Sequence, residues 1–207
     1  MQNIFVVTHA QSEHHVERRV GGWYDTDLTK FGVAQAEATA SRLRQLISDP
    51  NPALISSDLK RASETASIIG DELGVPVSLD AGLRENSYGE AEGRAQTWLD
   101  QRIVAAPDHN RLDHIVVKGA ESKRTFVDRI YNSMANLPET TNTIIVTHGY
   151  ALTFVISYWI GLPLEHAEYV NFSASPAGIT HLAQGGFFQN KVVHFISDTS
   201  HLPHIGN

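Results

Sequence analysis

Two histidines in this sequence each follow a short apolar run. His9 comes after the run 4–7 and Thr8, and His148 comes after the β-branched run 143–147. Such runs are typical of buried strands, and open α/β sheets bind ligands beyond the carboxyl ends of their strands. We therefore expect both imidazoles to face one crevice. A neutral imidazole whose N–H is held by an acceptor keeps a free lone pair on its other nitrogen, so His9 at its strand end is a candidate nucleophile.

Two charged residues could complete such a site. Arg61 lies near the start of a predicted helix, and a guanidinium can donate two parallel hydrogen bonds to an anion. Glu85 lies in an irregular stretch, where it could protonate a leaving group if a partly dry environment raises its pKa. Simpler interpretations stay open: Arg61 could pair with Glu64 at i,i+3, and Glu85 could be a solvated carboxylate. A lone histidine at a strand end is also more often structural.

A metal site is the other chemistry that the histidines suggest. His9, His14 and His15 lie close in sequence, but no carboxylate falls at a recognised ligand spacing. The chain contains no cysteine, which excludes disulfides, thiolate catalysis and cysteine-based zinc sites. We therefore predict that the protein needs neither a metal ion nor an organic cofactor.

The elements that would position these residues alternate between strands and helices. Strands are predicted at 4–7, 53–56, 75–79, 143–147, 169–174, 178–183 and 191–196. One helix is predicted to begin at Thr29 as its N-cap, with an apolar face formed by Val33, Ala36, Ala40, Leu43 and Ile47. A second is predicted from Ser57–Asp58 to Leu73, ended by Gly74. Further helices are predicted at 97–104, 122–137 and 150–160.

This order of elements predicts an α/β fold, a three-layer sandwich with a mostly parallel sheet and helices on both faces. No linker or internal repeat divides the sequence, so we expect one domain over residues 1–207. With 207 residues, of which 42% are hydrophobic, the chain can bury a substantial core.

Composition narrows the possible partners. The chain has 16 basic and 23 acidic residues and a net charge of −7. Because no lysine/arginine cluster stands out, we expect no nucleic-acid partner, and an anionic ligand must be held by a local pocket. The amino-terminal segment lacks signal-peptide features, and no apolar run reaches the ~20 residues that span a bilayer. We therefore expect no membrane partner and a cytoplasmic location.

Five sequence blocks resemble the histidine phosphatases of the phosphoglycerate-mutase-like superfamily. Residues 8–12 stand where that family has Arg-His-Gly-Glu-Thr, and residues 56–66 resemble its block with a phosphate-binding arginine. Residues 83–93 resemble the block that carries an acidic proton donor. Residues 119–122 match a Gly-Glu-Ser element, and residues 147–149 match the second histidine block. The blocks follow the family's order over most of the chain.

The resemblance implies a role for each matching residue. His9 would be the nucleophile that takes up a phosphoryl group, and Glu85 would act as general acid and then as base. Arg61 and a protonated His148 would hold the phosphoryl group. Other residues predicted to contact the substrate are Thr8, Ser12, His15, Arg19 and Gly149.

Three positions depart from the family pattern. Thr8 replaces a phosphate-binding arginine, Ala10 replaces a glycine, and His15 replaces a common asparagine. Loss of one transition-state donor can lower a rate by roughly 10²–10³. His15, Arg19 and Lys118 are candidates to compensate. Three large aromatic residues could line a leaving-group pocket or serve packing: Trp23, Tyr88 and Trp98.

The leading hypothesis is hydrolysis of a small phosphomonoester through a phosphohistidine at His9. The short connection from Glu85 to His148 has little room for the insertion found in phosphoglycerate mutases, which favours hydrolysis. Two alternatives stay open: a catalytically silent anion-binding member of the family, in which Thr8 marks a lost activity, and a phosphoglycerate-type mutase. The expected partner is a small phosphorylated substrate or inorganic phosphate, and a homodimer also stays open.

Overall fold

Strands and helices alternate along residues 2–202, the part of the chain that the structure, a computed structural model, describes. The strands are β1 (Gln2–Thr8), β2 (Ala53–Ser56), β3 (Val77–Leu79), β4 (Asn142–Thr147), β5 (Ile179–Gly185) and β6 (Asn190–Asp198). The helices are α1 (Glu13–Val16), α2 (Lys30–Leu46), α3 (Lys60–Leu73), α4 (Gln96–Asp100), α5 (Lys123–Ala135), α6 (Gly149–Trp159) and α7 (Leu164–Ala167). Two 3₁₀ turns, Ala81–Leu83 and Gly89–Ala91, lie in the long connection after β3.

The strands form one sheet in the order β3-β2-β4-β1-β5-β6. The first four strands are parallel, whereas β5 runs antiparallel to β1 and β6 antiparallel to β5. This confirms the predicted α/β fold with a mostly parallel sheet. The two central strands β1 and β4 pair in register from Asn3–Asn142 to Thr8–Thr147, so they end side by side.

Apolar side chains cover both faces of the sheet. On one face, Ile4 and Val6 of β1 pack in a cluster with residues of α5 and α6, such as Phe126 and Phe154. On the other face, Phe5 and Val7 pack with residues of α2 and α3. Because β1 is buried on both sides, its sequence is a continuous apolar run rather than an alternating one.

Capping residues set the helix boundaries. The Thr29 hydroxyl accepts a hydrogen bond from the Gly32 N–H at 2.9 Å, which confirms the predicted N-cap of α2. Val33 does not belong to the buried face of α2 as predicted, because its side chain is exposed at the first turn. Ser57–Asp58 was predicted to cap α3, but the N-cap is Leu59, the residue after Asp58. Gly74 ends α3 in the left-handed conformation, with φ 73°.

The strand predicted at 169–174 is wrong. This segment follows α7 as irregular chain and packs against α6 instead of joining the sheet. Its backbone finds a side-chain partner there, since the Phe172 N–H donates to the Thr153 hydroxyl at 3.0 Å. The helix predicted at 97–104 ends at Asp100, and β3 begins at Val77 rather than at 75.

The predicted domain of residues 1–207 includes Met1 and residues 203–207, which lie outside the described residues, and it stays a prediction. Across residues 2–202 no helix is both long and apolar enough to cross a membrane.

Candidate active site

His9 lies at the carboxyl end of β1, where neighbouring chain fixes both its backbone and its ring. Its N–H donates to the Thr147 carbonyl at 2.8 Å, and its Nδ1 lies 2.8 Å from the Ala10 carbonyl oxygen. A carbonyl oxygen can only accept, so Nδ1 carries the hydrogen and Nε2 keeps its lone pair. Burial, the Arg61 cation and His15 together hold the His9 pKa well below its ordinary value. The ring is therefore a neutral imidazole with a defined tautomer.

Arg61 lies in the first turn of α3 and is almost fully buried. Its Nε donates to His9 Nε2 at 3.2 Å, and its two terminal nitrogens donate to the carbonyls of Tyr24 and Gly22 at 2.9 and 2.7 Å. The alternative pairing with Glu64 is wrong, because that carboxylate accepts from the Leu28 N–H at 2.9 Å. Backbone carbonyls thus use one hydrogen of each terminal nitrogen, and the other hydrogen of each is available to a ligand.

His148 lies at the end of β4, next to His9. The two ring centroids are 5.0 Å apart, and His148 Nε2 lies 2.8 Å from the Ser57 hydroxyl. Burial, followed by Arg61 and His9, holds the His148 pKa well below its ordinary value, so the ring is neutral without an anion beside it. Its Nδ1 is buried and has no hydrogen-bond partner among residues 2–202. This is a polar atom that a ligand could satisfy.

Glu85 reaches the same region from the connection after β3. One carboxylate oxygen accepts from the Tyr150 N–H at 2.9 Å, and the other accepts from the Asn86 N–H at 2.8 Å. Tyr150 follows Gly149, the first residue of α6, so the carboxylate lies at the positive end of that helix. Burial raises the Glu85 pKa, although the two N–H groups and Arg61 act in the opposite direction.

Arg129 of α5 holds the segment that carries Glu85, a role that no sequence pattern predicted. It donates to the carbonyls of Gly82, Arg84 and Glu85 at 2.9, 2.6 and 2.7 Å. Its Nε lies 2.8 Å from a carboxylate oxygen of Glu121, whose side chain is 8% exposed. The one sequence feature that pointed to such a residue was the Gly-Glu-Ser element, because a buried carboxylate such as Glu121 needs a cation as its partner.

Thr8 and Ser12 lie beside His9 and are both buried. The Thr8 hydroxyl makes no hydrogen bond within the described part of the chain. Ser12 is the N-cap of α1, and its hydroxyl lies 2.9 Å from His14 Nδ1. Among the described residues, neither side chain hydrogen-bonds to His9, Arg61 or His148.

His14 and His15 extend the cluster. The ring of His15 stacks on His9 with centroids 5.3 Å apart and an interplanar angle of 8°, although the residue as a whole is exposed. Desolvation of the ring and the Arg61 cation lower the His15 pKa to about 4. His14, which the sequence analysis considered only as a metal ligand, is buried, and desolvation, His15 and Arg61 lower its pKa to about 3. Across residues 2–202, no three histidine or carboxylate side chains form a group that could hold a metal ion.

Arg19 and Lys118 are not brought to this cluster. The Arg19 guanidinium pairs with Glu17 at 2.6 Å and donates to the Gly93 carbonyl at 2.8 Å, both at the exposed surface. Lys118 is exposed. The prediction that Arg19 contacts the substrate is therefore not supported, because a surface carboxylate already binds its charge.

The three large aromatic residues have different surroundings. The indole N–H of Trp23 donates to the Glu85 carbonyl at 2.8 Å, and the Arg84 guanidinium lies 4.8 Å from its ring centroid. Trp98 lies between the guanidiniums of Arg94 and Arg102, at 4.6 and 4.4 Å. Of the three, Tyr88 alone lines the cavity next to Glu85.

That cavity has a volume of about 340 Å³ and is called the Tyr150 cavity below. His9, Arg61 and His148 do not line it, but Asn86 and Tyr150, whose N–H groups bind the Glu85 carboxylate, do. The residues that define it here are Tyr88, Ile103, Arg111, Val116, Lys123 and Tyr150. The backbone N–H groups of Asn86 and Tyr150 therefore link this cavity to the Glu85 carboxylate.

A sequence model of the histidine phosphatase superfamily (branch 1) matches residues 4–193. The chain belongs to the histidine phosphatase superfamily. A relative in this superfamily, a Salmonella paratyphi C (strain RKS4594) protein named "Probable phosphoglycerate mutase GpmB", is 29% identical over 214 residues, covering 98% of this chain and 95% of the relative.

Solved structures share the histidine phosphatase fold with this chain. The mycobacterial glucosyl-3-phosphoglycerate phosphatase Rv2419c, in complex with VO3, superposes with a TM-score of 0.79 at 24% identity, covering 96% of this chain and all of that one. The α-ribazole phosphatase from Shigella flexneri superposes with a TM-score of 0.78 at 22% identity and full coverage of both chains.

Proposed function

We propose that this histidine phosphatase superfamily member hydrolyses a small phosphomonoester through a phosphohistidine at His9. The observation that carries the proposal is the state of His9: its Nδ1–H is held by the Ala10 carbonyl, and its Nε2 lone pair faces Arg61. A low pKa keeps that lone pair unprotonated at neutral pH, and attack on phosphorus would replace its hydrogen bond from Arg61 Nε. The mycobacterial relative was also solved with inorganic phosphate, which supports a phosphate-binding crevice.

In the first step, His9 Nε2 attacks phosphorus and forms a P–N bond while the P–O bond to the alcohol breaks. The leaving oxygen takes the proton of Glu85, which burial keeps more easily protonated than an ordinary glutamate. In the second step, water attacks phosphorus and gives a proton to Glu85. The P–N bond then breaks, which restores neutral His9 and releases inorganic phosphate.

Three groups are available to bind the phosphoryl oxygens. Arg61 keeps one free hydrogen on each terminal nitrogen, and the Nδ1 of His148 lacks a partner in the described part of the chain. A phosphoryl dianion would raise the pKa of His148, so that Nδ1 donates to it while Nε2 keeps Ser57. The unpartnered Thr8 hydroxyl, next in the chain to His9, is the third group.

The proposal is tested by trapping the intermediate. The protein is incubated with an aryl phosphate in the presence of a chelator and quenched in alkali, and its peptides are analysed by mass spectrometry. We expect a phosphoryl adduct on the peptide that contains His9, and neither adduct nor turnover in His9→Ala. The exposed His109 provides a matched control, His109→Ala, that should keep both. Turnover that persists in His9→Ala would overturn the mechanism.

Product analysis separates hydrolysis from the two alternatives. A mutase, as the name of the Salmonella relative suggests for that protein, would move the phosphoryl group to an acceptor alcohol instead of releasing phosphate. A silent anion-binding protein would bind inorganic phosphate, and His9 would remain unmodified. Release of stoichiometric phosphate without an acceptor is the result expected here.

A further inference from the structure

We infer that the Tyr150 cavity binds the leaving group of the substrate and that this group carries a carboxylate on an apolar body. The inference rests on the proposed function, because it concerns the alcohol from which the phosphoryl group is removed. It adds a substrate class and two residues that determine specificity, Lys123 and Arg111.

The position of the cavity points to the leaving group. Tyr150 contributes its N–H to the Glu85 carboxylate and its side chain to the cavity, and Asn86 also contacts both. Glu85 also lies close to the histidine cluster, because Tyr150 is two residues after His148, whose ring centroid is 5.0 Å from that of His9. A substrate whose ester oxygen is protonated by Glu85 and whose phosphoryl group faces His9 would therefore extend its remaining atoms into this cavity.

Lys123 brings a positive charge that forms no ion pair within residues 2–202, although the Glu168 carboxylate is near enough to raise its pKa. Its ammonium donates to the Glu168 carbonyl at 2.8 Å and lies 5.8 Å from the ring centroid of Tyr150. Partial burial and the neighbouring Arg111 both lower the Lys123 pKa. Burying a cation next to a second cation costs free energy, and a bound anion would offset that cost.

Arg111 supplies a second donor. One terminal nitrogen pairs with Asp108 at 2.9 Å, but that carboxylate is 90% exposed and so screens the charge weakly. The Nε of Arg111 is buried and has no hydrogen-bond partner in the described part of the chain. The one carboxylate lining the cavity, Glu121, is already paired with Arg129. The cavity thus has an excess of positive charge on a chain whose net charge is −7.

The remaining wall of the cavity combines the polar side chains of Asn86, His114 and Asn171 with an apolar and aromatic part. Ile103, Val116 and the rings of Tyr88 and Tyr150 form that part. Ile103 is 46% exposed, so a bound apolar group would cover surface that water now contacts. The two cations and these walls together fit an alcohol with a hydrocarbon or aryl body and a terminal carboxylate.

The test compares two aryl phosphates that differ only in charge, 3-carboxyphenyl phosphate and its carboxamide, 3-carbamoylphenyl phosphate. We expect kcat/KM of the wild type to be about tenfold or more higher for the carboxylate, the size of one charge-assisted contact. Lys123→Met and Arg111→Met should each bring this ratio toward one by lowering the carboxylate value, while the carboxamide value stays within about threefold. The carboxamide value also reports whether each variant is folded.

Lys191→Met is the matched control. Lys191 also lies over an aromatic ring, 5.1 Å from the Trp159 centroid, but it is near the other end of α6, about 14 Å along the helix from Tyr150. This variant should keep the wild-type ratio. A wild-type ratio of one or less, or a ratio unchanged in both Lys123→Met and Arg111→Met, would overturn the inference.

Binding separates this inference from the proposed function. Calorimetric titration of His9→Ala with the two aryl phosphates measures the carboxylate preference without any turnover. If the wild type hydrolyses neither compound, a tenfold preference in Kd that Lys123→Met removes still supports the cavity assignment. Equal Kd values would reject it, whatever becomes of the phosphohistidine mechanism.

Discussion

The Glu85 carboxylate accepts a hydrogen bond from the Tyr150 N–H at 2.9 Å. Tyr150 lies two residues after His148 in the chain. This contact ties the general-acid candidate to the first turn of α6, which begins where β4 ends. The helix N-terminus favours the ionised carboxylate, whereas burial favours the protonated one. Since burial has the larger effect, Glu85 is suited to give up a proton and to take one back.

Substitution of Glu85 by glutamine should remove this proton transfer. We expect Glu85→Gln to lower kcat about 10²–10⁴-fold for an alkyl phosphate. For an aryl phosphate the fall should be smaller, because a phenolate leaves with less need of a proton. The exposed Glu90 in the same segment gives the control Glu90→Gln, which should change neither rate. An equal loss on both substrates would speak for a structural role of Glu85.

The pH dependence of kcat/KM should follow from two opposite pKa shifts. The His9 pKa is depressed well below its ordinary 6.5 by burial and by the Arg61 cation, so the nucleophile stays neutral as the pH falls below 6.5. The Glu85 pKa is raised, so the acid loses its proton only as the pH rises through that higher value. We expect activity to persist on the acid side and to fall with rising pH. Glu85→Gln should abolish this upper limb, and an acid limb near pH 6.5 would contradict the His9 assignment.

The unpartnered hydroxyl of Thr8 allows a test with opposite effects on stability and on binding. Thr8→Val replaces a buried group that lacks a hydrogen bond, so we expect the free energy of unfolding to rise by about 1 kcal/mol. The same change should weaken the binding of inorganic phosphate, measured by calorimetry. Thr65→Val is the control, because Thr65 accepts from the Ala10 N–H at 3.1 Å and its loss should lower stability. Unchanged phosphate affinity in Thr8→Val would exclude Thr8 from the site.

Thr8→Arg restores the residue that the family pattern has before the nucleophile. We expect a higher kcat with an aryl phosphate, since a second guanidinium would stabilise the transferred charge. The position is 4% exposed, so the larger side chain should also lower the free energy of unfolding by about 1–3 kcal/mol. Steady-state kinetics and urea denaturation measure the two effects separately. Lower activity in a folded variant would mean that His148 and Arg61 already supply enough charge.

The pair formed by Arg129 and Glu121 should act on catalysis through the segment of Glu85. Glu121→Gln leaves the Arg129 cation without its carboxylate, and breaking such a partly buried pair costs up to about 3–5 kcal/mol of stability. We expect kcat to fall more than KM changes, because the carbonyls that Arg129 holds position the general acid. The exposed pair of Arg124 and Asp113 supplies the control Asp113→Asn. A lower stability with unchanged kcat would limit the role of Glu121 to folding.

The parts of the site that could be predicted from sequence lie at the ends of strongly patterned elements. β1 and β4 are buried on both faces, so each is a continuous apolar run. The position of the histidine that follows each run, at the carboxyl end of a central strand, could therefore be predicted. The segment 169–174 has a similar pattern but packs on α6, where the Phe172 N–H donates to the Thr153 hydroxyl. Local pattern does not distinguish these two outcomes.

The positioning groups could not be predicted, because their contacts join distant parts of the chain. Arg129 donates to carbonyls that lie 44 to 47 residues earlier, and no periodicity encodes such a contact. His14 likewise owes its burial to the space beside Gly21, where a Cβ would lie 2.8 Å from the imidazole Nε2. Arg19 shows the reverse case, in which a local carboxylate holds a residue that the family pattern suggests for the site.

The pairing of β1 has a consequence for synthesis on the ribosome. Of the six strands of this sheet, β1 leaves the ribosome first, yet its neighbours are β4, which begins at Asn142, and β5, which begins at Ile179. Its apolar residues therefore have no sheet partner until translation has passed residue 142. Pairings of such high contact order form late and leave apolar segments exposed to aggregation and to chaperones. Nascent chains arrested before residue 142 should accordingly be sensitive to protease, and the His9 imidazole gains its neighbour His148 only after β4 has been made.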